Sequence, residues 1–229
     1  MSWLQCLKAD ICLQEIHAAS HAVMCAWLKD SGYSVASSFI SNKQVGTAIL
    51  VHSRHELDKV WRDNAGRFTQ VEVRMGKESI RFASSYAPKR NPERNRFLGS
   101  LPDFMDLEVP TFLCGDFNLL LDPGLDGIHS PSYQWKAPRT SAESVAALQS
   151  LLSYTNTYPV WRSQHPTDRC FSWDHGSGNV SSRIDMIWAP ISRTSYVTDS
   201  GYYPSFFTDN QYLQVSFTLL SSRDRGPGY

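Results

Sequence analysis

The sequence predicts an α/β fold in which β-sheets and helices form separate layers. Two observations lead to this prediction. Short apolar segments of strand length alternate along the chain with amphipathic segments that carry helix-capping residues. The 229 residues are 41% hydrophobic and contain no internal repeat, low-complexity linker or domain break. One large domain with a sizeable buried core is therefore expected.

Three segments carry helix signals. The first is 20–29, with an apolar face that includes Trp27. The second starts at Asn91-Pro92-Glu93, which supplies an N-cap, a proline at the first helical position and an acid in the first turn. The third starts with a capping box formed by Thr140 and Glu143. The other apolar positions on these three helices are Val23, Met24, Leu28, Phe97, Leu101, Phe104, Met105, Val145, Leu148 and Leu152.

Eight apolar segments are expected to form strands. They are 9–13, 46–51, 68–73, 79–85, 109–114, 170–173, 184–189 and 213–219. Gly76-Lys77 joins the third and fourth strands, and Gly115 ends the fifth. Two loops rich in glycine with proline or serine, 121–139 and 174–182, are candidates for substrate contact.

The composition argues against a membrane protein and against a strongly basic nucleic-acid binder. No apolar run is long enough to cross a bilayer, and no signal peptide is visible. The 22 basic and 22 acidic residues balance, which disfavours a strong nonspecific grip on nucleic acid but allows a weakly held substrate. The basic run 89–96 is either a solvated helix start or a local contact surface. The five cysteines lack metal-ligand spacing, so reduced thiols in an intracellular compartment are expected.

Acidic and amide side chains follow the ends of two apolar strands. Glu15 is suited to be the single carboxylate ligand of Mg²⁺, although an acid at a strand end can also simply face solvent. In Gly115-Asp116-Phe117-Asn118, period-two alternation puts Asp116 and Asn118 on one side of an extended segment and Phe117 in the core. Asp116 then acts as the base or orients the attacking water, and Asn118 contacts an oxygen or the metal. The same four residues also favour a turn.

Further polar residues complete a candidate site. Tyr86 can donate its phenol to a phosphate oxygen or serve in packing. Asp185 lies in an apolar strand and needs a polar partner, whereas Arg183 points to the opposite face of a regular strand. Asp209 is less specific, because its neighbours also suit a loop. Hydrolysis of a phosphodiester needs a cation, a base for water and donors to the phosphate oxygens. These residue types can bind the cation and supply the base and the donors.

Five motifs occur in register along nearly the whole chain. They are Leu13-Gln14-Glu15, Ser85-Tyr86-Ala87-Pro88, Gly115-Asp116-Phe117-Asn118, Phe171-Ser172-Trp173 ahead of Ser182-Arg183-Ile184-Asp185, and Thr208-Asp209-Asn210. In this order they resemble the endonuclease/exonuclease/phosphatase superfamily, and more closely the endonuclease domains of LINE-type retrotransposons. The end of the chain, 225–229, resembles the segment that leads such domains towards a reverse transcriptase. This places the domain at 1–222 and the linker-like tail at 223–229.

The resemblance implies a four-layer αββα sandwich, with two mixed sheets flanked by helices, and Mg²⁺ as cofactor with Mn²⁺ as the alternative. It implies nicking of one DNA strand to leave a 3′-hydroxyl that primes reverse transcription. We expect a monomer without membrane contact, fused to a reverse transcriptase in the parent element and nuclear if genomic DNA is its target. By position, the implied roles are Glu15 as metal ligand, Tyr86 as phosphate-side phenol, Asp116 and Asn118 as water-activating acid and amide, Ser172 and Arg183 as substrate contacts, Asp185 as the acid that orients the catalytic histidine, and Asp209 as the acid before that histidine.

Two departures from the family pattern predict impaired activity. The family's first strand, with its own site asparagine, has no counterpart in the sequence. Asn210 stands where the family has histidine, and an amide cannot exchange a proton near neutral pH. Loss of a general acid or base costs about 10²–10⁴-fold in rate. The alternatives are an inactive remnant with weak nucleic-acid binding and a small-molecule phosphatase of the same superfamily.

Overall fold

The computed structural model describes residues 8–18, 20–40, 46–129, 140–175, 180–205, 208 and 210–219. The strands are β1 (Ile11–Leu13), β2 (Tyr33–Phe39), β3 (Gly46–His52), β4 (Glu56–Arg62), β5 (Phe68–Met75), β6 (Glu78–Tyr86), β7 (Thr111–Asp116), β8 (Gly127–His129), β9 (Thr157–Pro159), β10 (Trp173–Asp174), β11 (Val180–Ser182), β12 (Asp185–Pro190), β13 (Val197–Pro204) and β14 (Gln211–Phe217). The α-helices are α1 (His21–Trp27), α2 (Asn91–Ser100), α3 (Pro123–Asp126), α4 (Ala142–Thr155) and α5 (Val160–Gln164). Two 3₁₀ segments are Leu101–Asp103 and Ile191–Tyr196.

The helices and sheets form four layers. The largest sheet has six strands in the order β4-β5-β6-β7-β12-β9. Helices α2 and α4 cover one of its faces through a core that includes Leu98, Phe117 and Leu148. Its other face packs through Phe82 and Phe112 against the sheet β1-β3-β2 and the hairpin β13-β14. Helix α1 covers the outer side of β1 and β3. The predicted αββα sandwich is therefore present.

Two helices begin one residue away from their predicted caps. Asn91 is the first residue of α2 and not its N-cap, because its side-chain oxygen accepts a hydrogen bond from Arg94. Helix α4 is capped by Ser141, whose Oγ accepts a hydrogen bond from the Ser144 N–H at 3.2 Å. The Thr140 hydroxyl instead accepts a hydrogen bond from the Leu120 N–H at 2.9 Å. None of the described helices is long and apolar enough to cross a membrane.

Two aromatic residues expected on core faces are exposed. Trp27 is 65% exposed because α1 covers only a three-stranded sheet, where Met24 fills the contact. Phe104 is 40% exposed because α2 ends at Ser100 and the chain continues as a tighter 3₁₀ turn. A helix period that holds for the first turns of a segment is lost where the helix ends.

Six of the described strands were not predicted from the sequence: β2, β4, β8, β9, β11 and β13, of which β8 and β11 lie in the segments expected to be loops. Strand β4 is the edge of the six-stranded sheet and alternates charged with apolar residues, β2 carries three serines, and β13 is largely polar. Strands with one solvent-facing side need few apolar residues, so their sequence pattern is weak. Residues 170–172 were expected in a strand but precede the short strand β10. Among the described residues β1 pairs with β3 alone, and the missing first strand stays a prediction because 1–7 lie outside them.

The close approach of β6 and β7 requires the glycine at position 115. These strands pair in parallel, with Ser85 opposite Gly115 and Tyr86 opposite Asp116. A Cβ on Gly115 would lie 2.0 Å from the Ser85 carbonyl oxygen, so any side chain there would push the strands apart. The sequence predicted that Gly115 ends this strand, but β7 continues through Gly115 to Asp116.

Candidate active site

Three polar side chains lie next to each other where adjacent strands of the six-stranded sheet begin or end. Tyr86 ends β6 and lies opposite Asp116, the last residue of β7. Asp185 begins β12 and lies opposite Asp116 on its other side. The parallel pair β6–β7 and the antiparallel pair β7–β12 therefore place one phenol and two carboxylates on neighbouring strands.

The turn after β7 folds Asn118 back onto Asp116. Asn118 has a left-handed backbone with a φ of 50°, so the expected extended segment is wrong at this residue. Its N–H donates to Asp116 Oδ1 at 2.8 Å, and its Nδ2 donates to Asp116 Oδ2 at 3.2 Å and to Ala87 O at 2.8 Å. Phe117 is fully buried, as expected. With the amide nitrogen engaged, the Asn118 side-chain oxygen is the atom left for a ligand.

Glu15 reaches the same group of side chains from the other sheet. The Tyr86 hydroxyl donates to Glu15 Oε1, and Lys89 Nζ lies 3.2 Å from the same oxygen. Gln14 Nε2 donates to Ser84 Oγ at 2.8 Å, which attaches the end of β1 to β6. The Glu15 side chain is 47% exposed. It therefore borders solvent, as a ligand for an incoming cation must.

The three carboxylates perturb each other. Burial raises the pKa of Asp116, and the negative charges of Asp185 and Glu15 raise it further, against the opposing effects of the Asn118 N–H and Lys89. Burial and the bond to Glu15 raise the pKa of Tyr86. Burial also acts to raise the pKa of Glu15, but the Tyr86 hydroxyl and the Lys89 charge outweigh it, so this pKa is lowered.

The donor atoms of this site fit a hard divalent cation. All are carboxylate or amide oxygens, which Mg²⁺ prefers, and a cation would relieve the repulsion between the acids. Within the described ranges, no three His, Cys, Asp or Glu side chains converge tightly enough to hold a metal by themselves. A cation here would therefore complete its shell with water or substrate oxygens, as Mg²⁺ commonly does.

Asn210 contacts the acid that the family pattern pairs with histidine. Its Nδ2 donates to Asp185 Oδ2 at 3.3 Å. An isolated β-bridge to Trp173 holds the Asn210 backbone beside β10. The Tyr202 hydroxyl donates to the Asp185 backbone carbonyl at 2.7 Å, which ties β13 to the same point. Asp209 lies outside the described residues.

Ser172 does not present its hydroxyl to a substrate. The residue is fully buried, and its Oγ accepts hydrogen bonds from the backbone N–H groups of Ile184 and Asp185, both at 3.1 Å. Its carbonyl accepts from the Gln211 N–H at 2.7 Å. Ser172 therefore positions the first residue of β12, Asp185, and the first residue of β14, Gln211, which follows Asn210. The expected contact between Ser172 and a phosphate does not fit this buried position.

Arg183 is also buried and does not fit the expected role of substrate contact. Its Nε and Nη2 lie 2.9 and 2.8 Å from Oδ1 of Asp126, which is itself fully buried. Arg162 Nη2 reaches the same oxygen at 2.7 Å, and the Arg183 guanidinium lies over the Trp161 ring. Arg183 thus anchors α3 beside the start of β12. The sequence analysis assigned no role to Asp126, since one acid in a glycine-rich loop carries no distinctive pattern.

Arg94 is a second buried arginine that the sequence analysis missed. It lies in the basic run 89–96, for which a solvated or contact surface was expected, yet it is fully buried. A signal was available, because Arg94 and Leu98 lie one helical turn apart and are the buried residues of α2. Its guanidinium contacts the turn at Asn118.

The fold and the carboxylate-rich site define a class of hydrolases that includes nucleases and phosphatases. The chain belongs to the Endonuclease/Exonuclease/phosphatase family, whose model matches residues 7–209. One relative, the transposon TX1 uncharacterized 149 kDa protein of Xenopus laevis, is 28% identical over 162 residues, or 69% of this chain. The chain spans only 12% of that relative's length. The expected resemblance to proteins of LINE-type retrotransposons is confirmed.

Solved structures share the fold. An AP endonuclease from Archaeoglobus fulgidus is 20% identical with a TM-score of 0.75, covering 92% of this chain and 89% of its own. A 3′-5′ exonuclease from Neisseria meningitidis is 19% identical with a TM-score of 0.74 and the same coverage. The AP endonuclease of Leishmania major is 15% identical with a TM-score of 0.67, covering 92% of this chain and 78% of its own. At these identities the similarity establishes the fold alone.

Proposed function

We propose that this chain is a retroelement-derived, Mg²⁺-dependent DNA endonuclease domain whose activity is impaired by Asn210. The observation that carries the proposal is the convergence of Tyr86, Asp116 and Asp185 on neighbouring strands, with Glu15 bonded to the phenol. This set supplies carboxylates for a cation and a donor for a phosphate oxygen, which are the groups that hydrolysis of a phosphodiester requires.

Each residue of the set has a distinct role in this proposal. Glu15 would hold the Mg²⁺ ion, which when bound supplies positive charge to the phosphate. Asp116 accepts a proton from the attacking water, because burial and the neighbouring acids raise its pKa and make it a stronger base than an ordinary aspartate. Asn118 offers its side-chain oxygen to the attacking water, since its N–H and Nδ2 are engaged by Asp116 and Ala87. Tyr86, kept protonated by its raised pKa, donates its hydroxyl to a phosphate oxygen in place of Glu15. Mn²⁺ would support the same chemistry.

DNA is the proposed substrate, and a longer element protein is the proposed context. Lys89, which lies beside Glu15, and the next residue Arg90 are both exposed and can contact a phosphate backbone. The relative from a transposon is far longer than this chain, which supports fusion to a reverse transcriptase in the parent element. In this proposal the domain acts as a monomer, and it is nuclear when genomic DNA is its target.

Asn210 explains the proposed impairment. A histidine bonded to Asp185 can become cationic and exchange protons, whereas the amide of Asn210 stays neutral while making the same contact. The contact therefore preserves the geometry of the pair without its acid–base chemistry. This observation also favours the second candidate function, an inactive remnant that binds nucleic acid weakly.

Plasmid nicking tests the proposal. The natural chain, Asn210→His and Asn210→His combined with Asp116→Asn would be incubated with supercoiled DNA in Mg²⁺, in Mn²⁺ and in EDTA. We expect Asn210→His to nick at least roughly 10²-fold faster than the natural chain, with no nicking in EDTA or after Asp116→Asn. Extension of the nicks by a polymerase would show 3′-hydroxyl ends.

The outcomes separate the candidates. Equal rates for the natural chain and Asn210→His would contradict the impairment. No nicking by either protein, together with measurable binding of a labelled duplex, would support the remnant. Activity on a small phosphate ester without nicking would identify a phosphatase instead.

A further inference from the structure

Arg94 lies behind the turn that carries Asp116 and Asn118. Its Nη1 donates to the Asn118 carbonyl at 2.6 Å and to the Lys89 carbonyl at 3.1 Å. Its Nη2 donates to the side-chain oxygen of Asn91. One guanidinium therefore joins the start of α2, the chain segment before it and the turn after β7. The residue is fully buried, so these bonds are shielded from water.

The turn depends on a buried donor at this place. The left-handed backbone of Asn118 directs its carbonyl away from the strand partners of β7 and towards α2. A buried carbonyl without a donor is strongly disfavoured, and Arg94 supplies that donor. Asn118 also donates its N–H and its Nδ2 to Asp116. The position of the Asn118 carbonyl therefore also sets the position of the Asp116 carboxylate.

We propose that Arg94 is a positioning residue of the active site, whose guanidinium holds the left-handed turn at Asn118 and thereby fixes where Asn118 and Asp116 face the phosphodiester. This inference rests on the proposed function for its catalytic consequence, but the positioning itself does not. The planar guanidinium is required, since it bonds three oxygens in different directions at once, which a lysine ammonium on a flexible stem does poorly.

A purely structural role for Arg94 is the competing explanation. Its Nε and Nη2 also lie 3.3 Å from Ser144 Oγ, so the residue could simply join α2 to α4. The two roles differ in which part of the protein the Arg94 bonds protect against opening. A link between helices stabilises the whole domain, whereas a positioning bond protects the turn more than the rest of β7.

Amide hydrogen exchange distinguishes these roles without substrate or metal. In Arg94→Met we expect exchange of the Asn118 N–H to accelerate at least roughly tenfold more than exchange of the Leu113 N–H. The reason is that local opening of the turn no longer has to break the hydrogen bond from Arg94 to the Asn118 carbonyl. Ser144→Ala should leave this ratio unchanged, since it removes hydrogen bonds between α4 and α2 but keeps the bond from Arg94 to the Asn118 carbonyl. Arg94→Lys, which keeps the charge, should fall between the natural chain and Arg94→Met.

Arg96→Met is the matched control. Arg96 lies on the same helix and loses the same charge, but it is exposed and bonds only to the Pro92 carbonyl of its own helix among the described residues. Its exchange ratio should equal that of the natural chain. Equal acceleration at Asn118 and Leu113 in Arg94→Met, or none at either residue, would overturn the positioning role.

The catalytic consequence is measured in the Asn210→His background. There Arg94→Met should lower kcat at least roughly tenfold while KM for DNA stays within about twofold, because the displaced groups act on the transition state and not on the remaining DNA. Arg96→Met should leave kcat unchanged. Absence of nicking by Asn210→His itself would refute the proposed function, whereas the exchange result would stand, so the two failures are distinguishable.

Discussion

Asn210 donates its side-chain amide to Asp185 Oδ2 at 3.3 Å. The family pattern indicates that Asp185 has lost its histidine partner at this position, and in the structure the Asn210 amide makes the contact instead. The Asn210 backbone is held by a bridge to Trp173, and Ser172 orients Asp185 through two backbone bonds. The contacts that position Asp185 and Asn210 are therefore present. Asn210→His would place its imidazole at a backbone position that is already next to Asp185.

Replacement of Asp116 by asparagine should stabilise the protein at neutral pH. Because burial and Asp185 raise the pKa of Asp116 in the folded state, its protonated form favours folding. This contribution is complete below the unfolded pKa of about 3.9 and is lost as the pH rises through the higher folded pKa. Ionisation of Asp116 therefore destabilises the fold as the pH rises, and Asp116→Asn should then raise the free energy of unfolding.

Urea unfolding in EDTA at several pH values between about 4 and 8 measures this gain. It should grow with pH, while Asp58→Asn, a change on the edge strand β4, should show no comparable growth. A gain at acidic pH that equals the gain at pH 8 would contradict the assignment to ionisation of Asp116.

Mg²⁺ should stabilise the protein through Glu15. A ligand that binds only the folded state at about ten times its Kd adds about 1.4 kcal/mol, which raises Tm by roughly 3–5 °C in a chain of this size. Glu15→Gln keeps the shape of the side chain but removes its charge, so it should abolish most of the shift. Thermal unfolding of EDTA-treated protein with and without Mg²⁺ measures it. Glu56→Gln, an exposed acid on β4, serves as the control and should retain the full shift.

Arg183→Met should destabilise the domain without a specific loss of DNA binding. The change leaves the Asp126 carboxylate buried with one of its two arginine partners, and broken buried pairs cost about 3–5 kcal/mol. Urea unfolding measures the loss, and the exposed Arg90→Met should change stability little. If Arg183→Met kept its stability but bound DNA more weakly, the original assignment of Arg183 as a substrate contact would be supported after all.

Gly115→Ala should be far more damaging than Gly99→Ala. The new methyl at position 115 would lie 2.0 Å from the Ser85 carbonyl, and separation of β6 from β7 would move Tyr86 away from Asp116. Gly99 lies in α2 with open space around its Cβ position, so alanine there should stabilise by roughly 0.5–1 kcal/mol. Thermal unfolding of both variants tests the contrast. Similar stability changes for the two would show that the strands can separate at little cost.

The motifs of the site were predictable because their residue types follow apolar strand segments. Glu15, Tyr86, Asp116 and Asp185 all lie where the sequence placed strand ends, and the structure brings them into one group. The roles of the two arginines were not predictable, although the helical spacing of Arg94 and Leu98 was a signal that Arg94 is buried. In a sequence an arginine looks like a surface residue, and only packing from several elements can bury one and satisfy its five donors.

The sequence by itself determined the layered α/β class and the family, because period, caps and strand-end motifs are local properties of the chain. It also determined that Asn210 cannot do the chemistry of a histidine. Only the tertiary structure decided that Asn210 still pairs with Asp185 and that Ser172 and Arg183 are buried supports. It likewise revealed Arg94 behind the turn at Asn118. These outcomes depend on contacts between distant segments, which strand register and core packing set and which no local pattern records.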